Sequence, residues 1–153
     1  MTHDVTILVA TMSGTAEMVA DEIASRIEDA GGEARIVRME KAGVAALSDA
    51  AGPILICSST YGTGDVPDNG QALYTALETE RPDLSGLRYG VVALGDSVYP
   101  QTFCFGGRRF DELFASLGAA RIGERFEHDS RSGTYPEDAA ADWAEQWLEQ
   151  LNA

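Results

Sequence analysis

Three loops of the chain carry residue types that could bind a phosphate and an attached aromatic ring. The first loop contains three hydroxyl residues and a glycine, in the order Thr11, Met12, Ser13, Gly14, Thr15, Ala16 and Glu17. Amides at a helix N-terminus attract anions, and serine or threonine hydroxyls can donate further hydrogen bonds. Because this loop has no Lys or Arg, we expect dipoles alone to hold the phosphate. The alternative interpretation is an ordinary hydroxyl-capped helix with nothing bound.

The other two loops are rich in glycine, and each contains a tyrosine. The second loop reads Ser59, Thr60, Tyr61, Gly62, Thr63, Gly64, Asp65, Val66, Pro67, Asp68 and Asn69. The third loop reads Leu94, Gly95, Asp96, Ser97, Val98, Tyr99, Pro100, Gln101, Thr102, Phe103, Cys104, Phe105, Gly106 and Gly107. Glycine lets a backbone approach a ligand closely, and a tyrosine offers a flat surface for stacking. One tyrosine alone would more often be a packing residue, but two on neighbouring loops predict a clamp around a planar ring.

Several other kinds of site are disfavoured by the same residues. The first loop matches neither Gly-x-Gly-x-x-Gly nor a nucleotide loop ending in Gly-Lys-Ser/Thr, which argues against dinucleotide and ATP binding. A phospho-accepting receiver domain needs an acidic pair after the first strand and an aspartate ending the third, where this chain has Thr11-Met12 and Ser58-Ser59. Two cysteines are too few for a disulfide framework, and their wide separation does not resemble a metal site.

Strand-like and helix-like segments alternate along the chain and position these loops. Apolar runs predict strands over 5–10, 34–38, 53–57, 89–94 and 120–126, and helical periodicity predicts helices over 16–30, 69–80, 107–117 and 136–151. The connection over 40–52 is weakly helical or irregular. This alternation predicts one doubly wound α/β domain over residues 1–153, with a five-stranded parallel sheet and helices on both faces. Ligands of such sheets bind beyond the carboxyl ends of the strands, where all three loops lie.

The charge of the chain is strongly negative. Lys and Arg total 11 against 25 Asp and Glu, for a formal net charge of −14. Such a surface repels nucleic acid and anionic lipid and attracts basic partners, although acidity could also serve solubility alone. The chain has no apolar run of roughly 18 residues, and its first strand begins too early to leave room for a signal peptide. We therefore expect a soluble, cytoplasmic protein with no nucleic-acid or membrane partner.

At the three loops the sequence resembles the flavodoxin family. The first loop is similar to the Ser/Thr-x-Thr-Gly-Thr-Ala-Glu segment of the FMN domains in diflavin reductases and sulfite reductase flavoproteins. The second is similar to their Thr-Tyr-Gly-x-Gly-Asp-x-x-Asp-Asn loop, and the third to their Gly-Leu-Gly-Asp/Asn-x-x-Tyr segment with Phe103-Cys104 after it. The chain length and the late tryptophan-containing helix resemble the short MioC-type flavodoxins. The resemblance implies a flavodoxin-like sandwich with strand order 2-1-3-4-5.

The resemblance also implies one non-covalently bound FMN. The first loop would bind its phosphate, Tyr61 and Tyr99 would flank the isoalloxazine, and the peptide of Gly62 would meet flavin N5. An acidic residue after strand five often supports the flavin, and Asp129 takes that place here. The implied cofactor-binding residues are Thr11, Met12, Ser13, Gly14, Thr15, Ala16, Ser59, Thr60, Tyr61, Gly62, Thr63, Gly64, Leu94, Gly95, Asp96, Tyr99, Phe103, Cys104 and Asp129.

The function that the resemblance implies is electron transfer without catalytic residues. A basic flavodoxin- or ferredoxin-type NADPH reductase would be the donor, and a metalloenzyme or other redox enzyme the acceptor. A flavodoxin-like NAD(P)H:quinone oxidoreductase is the alternative, although no extra loop or basic cluster for a nicotinamide phosphate is visible. The carboxylates of Asp65, Asp68 and Asp96 would oppose the negative charge that reduction adds to the flavin, and we expect them to make it more reducing.

Overall fold

The computed structural model describes residues 4–12, 14–60 and 64–152 and shows a parallel sheet between two layers of helices. The strands are β1 (Asp4–Ala10), β2 (Glu33–Arg38), β3 (Ile54–Ser58), β4 (Arg88–Gly95), β5 (Ala120–Arg121) and β6 (Phe126–Asp129). The helices are α1 (Thr15–Asp29), α2 (Ala45–Ser48), α3 (Asp68–Glu80), α4 (Phe105–Ser116) and α5 (Pro136–Leu151). The strand order is β2-β1-β3-β4-β5, and β6 also pairs with β4. This order confirms the predicted α/β flavodoxin-like fold.

The central strands are buried on both faces because they are almost wholly apolar. Every residue of β3 is buried, and so are six of the eight residues of β4. Helices α1 and α5 cover one face, where the predicted apolar stripe of Val19, Ile23 and Ile27 is fully buried. Helices α3 and α4 cover the other face. The predicted weak connection forms a short 3-10 turn over Met39–Lys41 and the four-residue helix α2. No helix in the described ranges is long and apolar enough to span a bilayer.

The fifth predicted strand is split in two, which corrects the continuous strand expected over 120–126. Arg88 and Tyr89 of β4 pair with β5, whereas its last four residues, from Val92 to Gly95, pair with β6. Four residues, 122–125, therefore stand opposite only two residues of β4, and Gly123 among them has a φ of 72°. A bulge of two extra residues interrupts the edge, and the strand-like pattern over 120–126 could not reveal it.

One buried carboxylate on α4 contacts both ends of the bulge. The carboxylate of Asp111 is only 5% exposed and accepts hydrogen bonds from Arg121 at 2.5 Å and Arg125 at 2.6 Å. Arg121 precedes the bulge and Arg125 is its last residue, so one carboxylate holds both ends of the bulge. The hydroxyl of Tyr89 donates to the same carboxylate at 2.6 Å. Because a buried charge needs such partners, the split edge and α4 fix each other's position.

Helix α4 begins two residues before the predicted start at 107. Cys104 precedes it with a φ of 58°, a left-handed conformation that is rare for a residue with a side chain. The two glycines that follow lie within the helix rather than in the loop. A Cβ on Gly107 would lie 2.4 Å from the Cβ of Ala93, so this glycine lets α4 pack closely on β4.

Candidate functional site

The first loop joins β1 to α1 and leaves open space at the N-terminus of that helix. Gly14 has a φ of 88°, and its N–H donates to Oγ1 of Thr11 at 3.0 Å. A Cβ built on Gly14 would meet no described atom within 4 Å. Its carbonyl accepts the N–H of Met18 at 3.1 Å and so starts the helix. First-turn amides of α1 point toward this space by helical geometry, which gives the loop the form of an anion site.

Asn69, at the start of α3, holds the first loop in place. Its Oδ1 accepts the N–H of Thr11 at 2.9 Å, and its Nδ2 donates to the carbonyl of Val9 at 3.0 Å. Nδ2 also donates to Oε1 of Glu40 at 3.2 Å. Asn69 is the last residue of the predicted second loop, and no role was predicted for its side chain. The sequence held one indication of this role. An amide side chain near the predicted strand ends can pair with the backbone groups that have no partner there.

A pocket of about 420 Å³ lies at the carboxyl ends of β1, β3 and β4, where the predicted loops meet. Its volume falls within the range typical of small-molecule sites, roughly 300–1,000 Å³. The lining residues are Met12, Thr15, Ser59, Thr60, Leu94, Gly95, Asp96, Tyr99, Thr102 and Ser130. Tyr99 is 54% exposed, so its ring stands at the pocket rim rather than in the core.

The predicted site residues that the structure describes lie in the pocket wall, in the adjoining loops or in the core. Eight line the pocket, namely Met12, Thr15, Ser59, Thr60, Leu94, Gly95, Asp96 and Tyr99. Thr11 and Gly14 lie in the adjoining helix-terminal loop, and the carbonyl of Gly64 accepts a hydrogen bond from Arg109 at 2.8 Å. Ala16 and Cys104 are fully buried, and Phe103 packs against the core. The predicted residues Ser13, Tyr61, Gly62 and Thr63 lie outside the described residues.

Thr60, which follows β3, connects that strand to the end of β4 and to the start of α4 at the back of the pocket. Its hydroxyl donates to the carbonyl of Leu94 at 2.9 Å and accepts the N–H of Gly106 at 3.0 Å. A Cβ on Gly106 would lie 2.1 Å from the carbonyl oxygen of Ser59, so only a glycine allows this approach. The end of β4 and the start of α4 are therefore both held to the residues that follow β3.

Two carboxylates and one guanidinium lie at or beside the pocket: Asp96 lines it, and Asp129 and Arg131 flank the lining residue Ser130 in the chain. Asp96 accepts the N–H of Val98 at 2.9 Å and Nε of Arg131 at 2.7 Å. Asp129 accepts the N–H groups of Ser97 at 3.0 Å and Arg131 at 2.9 Å. These hydrogen bonds lower the pKa of both carboxyls, chiefly through Val98 for Asp96 and through Ser97 for Asp129. Both acids are thus charged at neutral pH. Both acids were predicted as site residues, but Arg131 was not.

The two cysteines of the chain serve packing. The Cys104 thiol is buried beneath the third loop and contacts the carbonyls of Ala93 at 3.5 Å and His128 at 3.8 Å. The Cys57 thiol contacts the carbonyl of Ala16 at 3.4 Å. Burial raises the pKa of each thiol to about 12, so neither is a thiolate at neutral pH. These contacts hold β3 against α1, and β4 and β6 against the start of α4.

The described part of the site fits a phosphate attached to a planar ring. The open space beside Gly14 would be filled by a side chain on any other residue, and the hydroxyl of Thr11 faces the same loop. Met12 and Thr15 belong to this loop and also line the pocket, so the anion site and the ring site are continuous. FMN has both of these parts.

The chain is similar to known proteins over almost its whole length. The sequence model of the flavodoxin family matches residues 7–143 of this chain. Flavodoxin YqcA of Pectobacterium carotovorum subsp. carotovorum is 37% identical over 148 residues, which are 96% of each chain. Protein MioC of Escherichia coli K12 is 34% identical over 150 residues, which are 97% of this chain and 98% of MioC.

A larger protein and a solved structure extend the comparison. The sulfite reductase [NADPH] flavoprotein alpha-component of Bacillus subtilis is 33% identical over 153 residues, which are 99% of this chain but 24% of that protein. A mutant flavodoxin from Pseudomonas aeruginosa superposes with a TM-score of 0.86 at 35% identity, covering 98% of this chain and 99% of its own. The chain therefore belongs to the flavodoxin family, whose members are FMN-dependent electron carriers rather than enzymes.

Proposed function

We propose that this chain holds FMN with the phosphate in the first loop and the isoalloxazine ring in the pocket beside Tyr99. The observation that carries the proposal is that Met12 and Thr15 belong both to the first loop and to the pocket wall. A ring attached to a phosphate would span the two without a break. When bound, FMN supplies the redox chemistry, and the chain supplies orientation and local charge.

The phosphate would be held by neutral groups. The hydroxyls of Thr11, Ser13 and Thr15, together with the amides at the start of α1, would donate to its oxygens. Tyr99 and Tyr61 would flank the ring, and the peptide of Gly62 would meet its N5. The hydrogen bonds of Thr60 and Asn69 support this assignment, because they fix the loops before any ligand arrives.

We infer that a basic, NAD(P)H-dependent reductase of the flavodoxin or ferredoxin type donates the electrons, and that a metalloenzyme or other redox enzyme accepts them. Met12, Val98 and Tyr99 are each at least half exposed around the pocket. The carboxylates of Asp96 and Asp129 lie beside them, in a chain with a net charge of −14. Apolar groups within an acidic surface suit a partner with a basic docking face, whose approach should slow as salt rises.

Binding of FMN and riboflavin by the cofactor-free protein tests the cofactor assignment. Riboflavin has the ring but lacks the phosphate, so the two ligands separate the two parts of the site. We expect Thr11→Val to weaken FMN binding about tenfold or more and to leave riboflavin binding nearly unchanged, because one hydrogen bond to a charged group is lost. Thr11→Ser should retain FMN binding, and Tyr99→Ala should weaken both ligands. A wild-type protein that binds neither flavin would contradict the proposal.

Electron transfer with and without a reductase tests the carrier role. We expect NADPH to reduce the FMN-loaded protein rapidly only when a basic reductase is added, and the rate to fall steadily across a salt series. Sustained quinone-dependent oxidation of NADPH without any reductase would instead support the quinone oxidoreductase alternative. A reductase-dependent rate that does not change with salt would contradict the acidic docking face.

A further inference from the structure

Arg38, at the end of β2, lies beside the first loop and pairs with two carboxylates there. Its position follows from the sheet, because Val9 of β1 and Arg38 of β2 are register partners. One carboxylate belongs to Glu17 in the first turn of α1, and the other to Glu40, which Nε of Arg38 contacts at 3.1 and 3.2 Å. A guanidinium thus stands next to the loop that contains no basic residue.

The same group of residues reaches the backbone of the first loop. Glu40 accepts a hydrogen bond from Nδ2 of Asn69, and Oδ1 of Asn69 accepts the N–H of Thr11. These contacts lower the pKa of Glu40, with the Asn69 hydrogen bond as the largest cause and Arg38 as a further one. Glu17 and Glu40 are therefore two carboxylates close to a site for an anion, with Arg38 between them.

The exposure of these side chains indicates what the cluster does. Arg38 is 40% exposed, Glu17 37% and Glu40 43%. Ion pairs this exposed contribute little to folding stability. Charges near the N-terminus of a helix nevertheless change the affinity of an anion there, because the anion interacts directly with them. The cluster should therefore matter more for phosphate affinity than for the stability of the fold.

We propose that Arg38 is a positioning residue of the phosphate site, which neutralises Glu17 and Glu40 and keeps their carboxylates directed toward β2. This inference rests on the proposed function, in which the first loop receives the phosphate of FMN. Without Arg38, two uncompensated carboxylates would repel that phosphate, and Glu17 could turn toward the first-turn amides. Binding of the flavin ring would be unaffected.

The test compares FMN with riboflavin in variants of matched charge. We expect Arg38→Gln to raise the FMN dissociation constant roughly two- to tenfold while that of riboflavin stays unchanged. Arg38→Lys should restore most of the FMN affinity. Arg26→Gln is the control, because Arg26 lies in the last turn of α1, the helix that begins at the first loop, and also pairs with carboxylates, those of Glu22, Asp142 and Glu145. It changes the net charge equally and should leave both dissociation constants unchanged.

A double substitution assigns the effect to Glu17. In a Glu17→Gln background, we expect Arg38→Gln to weaken FMN binding less than it does in the wild type. An unchanged ratio of FMN to riboflavin affinity in Arg38→Gln, or an equal change in Arg26→Gln, would overturn the role of Arg38. These outcomes are distinct from failure of the proposed function, in which the wild type itself would bind neither flavin. Circular dichroism of each variant confirms that a loss of affinity is not a loss of fold.

Discussion

The hydroxyl of Thr60 accepts a hydrogen bond of 3.0 Å from the N–H of Gly106, across the back of the pocket. The same hydroxyl donates to the carbonyl of Leu94. One side chain after β3 therefore satisfies a carbonyl at the end of β4 and an amide at the start of α4. Amides in the first turn of a helix have no partner within the helix, so Thr60 acts as a cap supplied by a distant part of the chain.

Thr60→Val should destabilise the cofactor-free protein by about 1–3 kcal/mol, because a buried amide and a buried carbonyl each lose a partner at nearly constant side-chain volume. Thr60→Ser keeps the hydroxyl and should recover most of the loss. Urea unfolding of the three proteins measures the difference. Equal midpoints for Thr60→Val and the wild type would show that water replaces both hydrogen bonds.

Gly106→Ala should destabilise the protein by roughly 1–3 kcal/mol, because its Cβ would overlap the carbonyl oxygen of Ser59 at 2.1 Å. Gly86→Ala is a matched control, since a Cβ there meets no described atom within 4 Å. We expect that variant to be neutral or slightly stabilised. Thermal unfolding compares the two, and a Gly106→Ala protein as stable as Gly86→Ala would contradict the close approach of α4 to the residues after β3.

Glu127→Gln should lower stability at neutral pH by about 1–3 kcal/mol and have a smaller effect in acid. Arg108 contacts Glu127 at 2.5 and 2.9 Å, and Arg125 contacts it at 2.9 Å. The Arg108 hydrogen bond is the largest cause of a folded-state pKa below the ordinary value. The ion pairs therefore stabilise the fold above the unfolded-state pKa, about 4.3, and this stabilisation is lost as the pH falls through the lowered folded-state pKa.

Urea unfolding of wild type and Glu127→Gln across the acid range gives the pH profile. Glu124→Gln is the control, because this exposed residue lies in the bulge and its substitution changes the net charge equally. We expect its difference from the wild type to stay small at every pH. A gap between wild type and Glu127→Gln that stays constant into strong acid would show that the effect is not electrostatic.

Arg131→Gln should lower the midpoint potential of the FMN-loaded protein. The sequence predicts that Asp96 opposes reduction, but its carboxylate pairs with Arg131 at 2.7 Å, which offsets part of that charge. Removing the guanidinium leaves Asp96 and Asp129 to act alone on the flavin. We expect a fall on the order of tens of millivolts at low salt and less at high salt, since these groups are partly exposed.

A redox titration at two salt concentrations measures this change, with Arg26→Gln as a charge-matched variant far from the pocket. Asp96→Asn should shift the potential in the opposite direction. An unchanged or raised potential in Arg131→Gln would mean that the charges of Asp96 and Arg131 do not act on the flavin.

The sequence predicts the parts of the fold that depend on local pattern. The buried β1 and the apolar stripe of α1 follow from a continuous apolar run and a helical period, and both are confirmed. The split edge does not follow, because Arg121 and Arg125 find Asp111 only after α4 packs on the sheet. The contacts of Arg121 and Arg125 with Asp111 join a strand edge to a helix, and such contacts leave no periodic signal in the sequence.

The site was predictable as a set of loops but not as a set of contacts. Met12, Thr15 and Tyr99 line one pocket, as expected of loops at neighbouring strand ends. Thr11 and Asn69 are 58 residues apart, and only the folded chain shows that one positions the other. Cys104 was predicted as a cofactor-binding residue because Phe103-Cys104 matches the Phe-Cys or Phe-Asn pair of the family pattern. Its thiol instead supports the third loop from within the core.

The interrupted strand at the edge of the sheet also affects how molecules of this protein meet one another. An unbroken exposed strand offers a row of free amides and carbonyls to which a second molecule can add its own strand. Here the outer neighbour of β4 consists of the two residues of β5, the bulge over 122–125 and the four residues of β6, with Arg121 just before the bulge and Arg125 at its end. This side of the sheet therefore offers a second molecule no unbroken strand with which to pair.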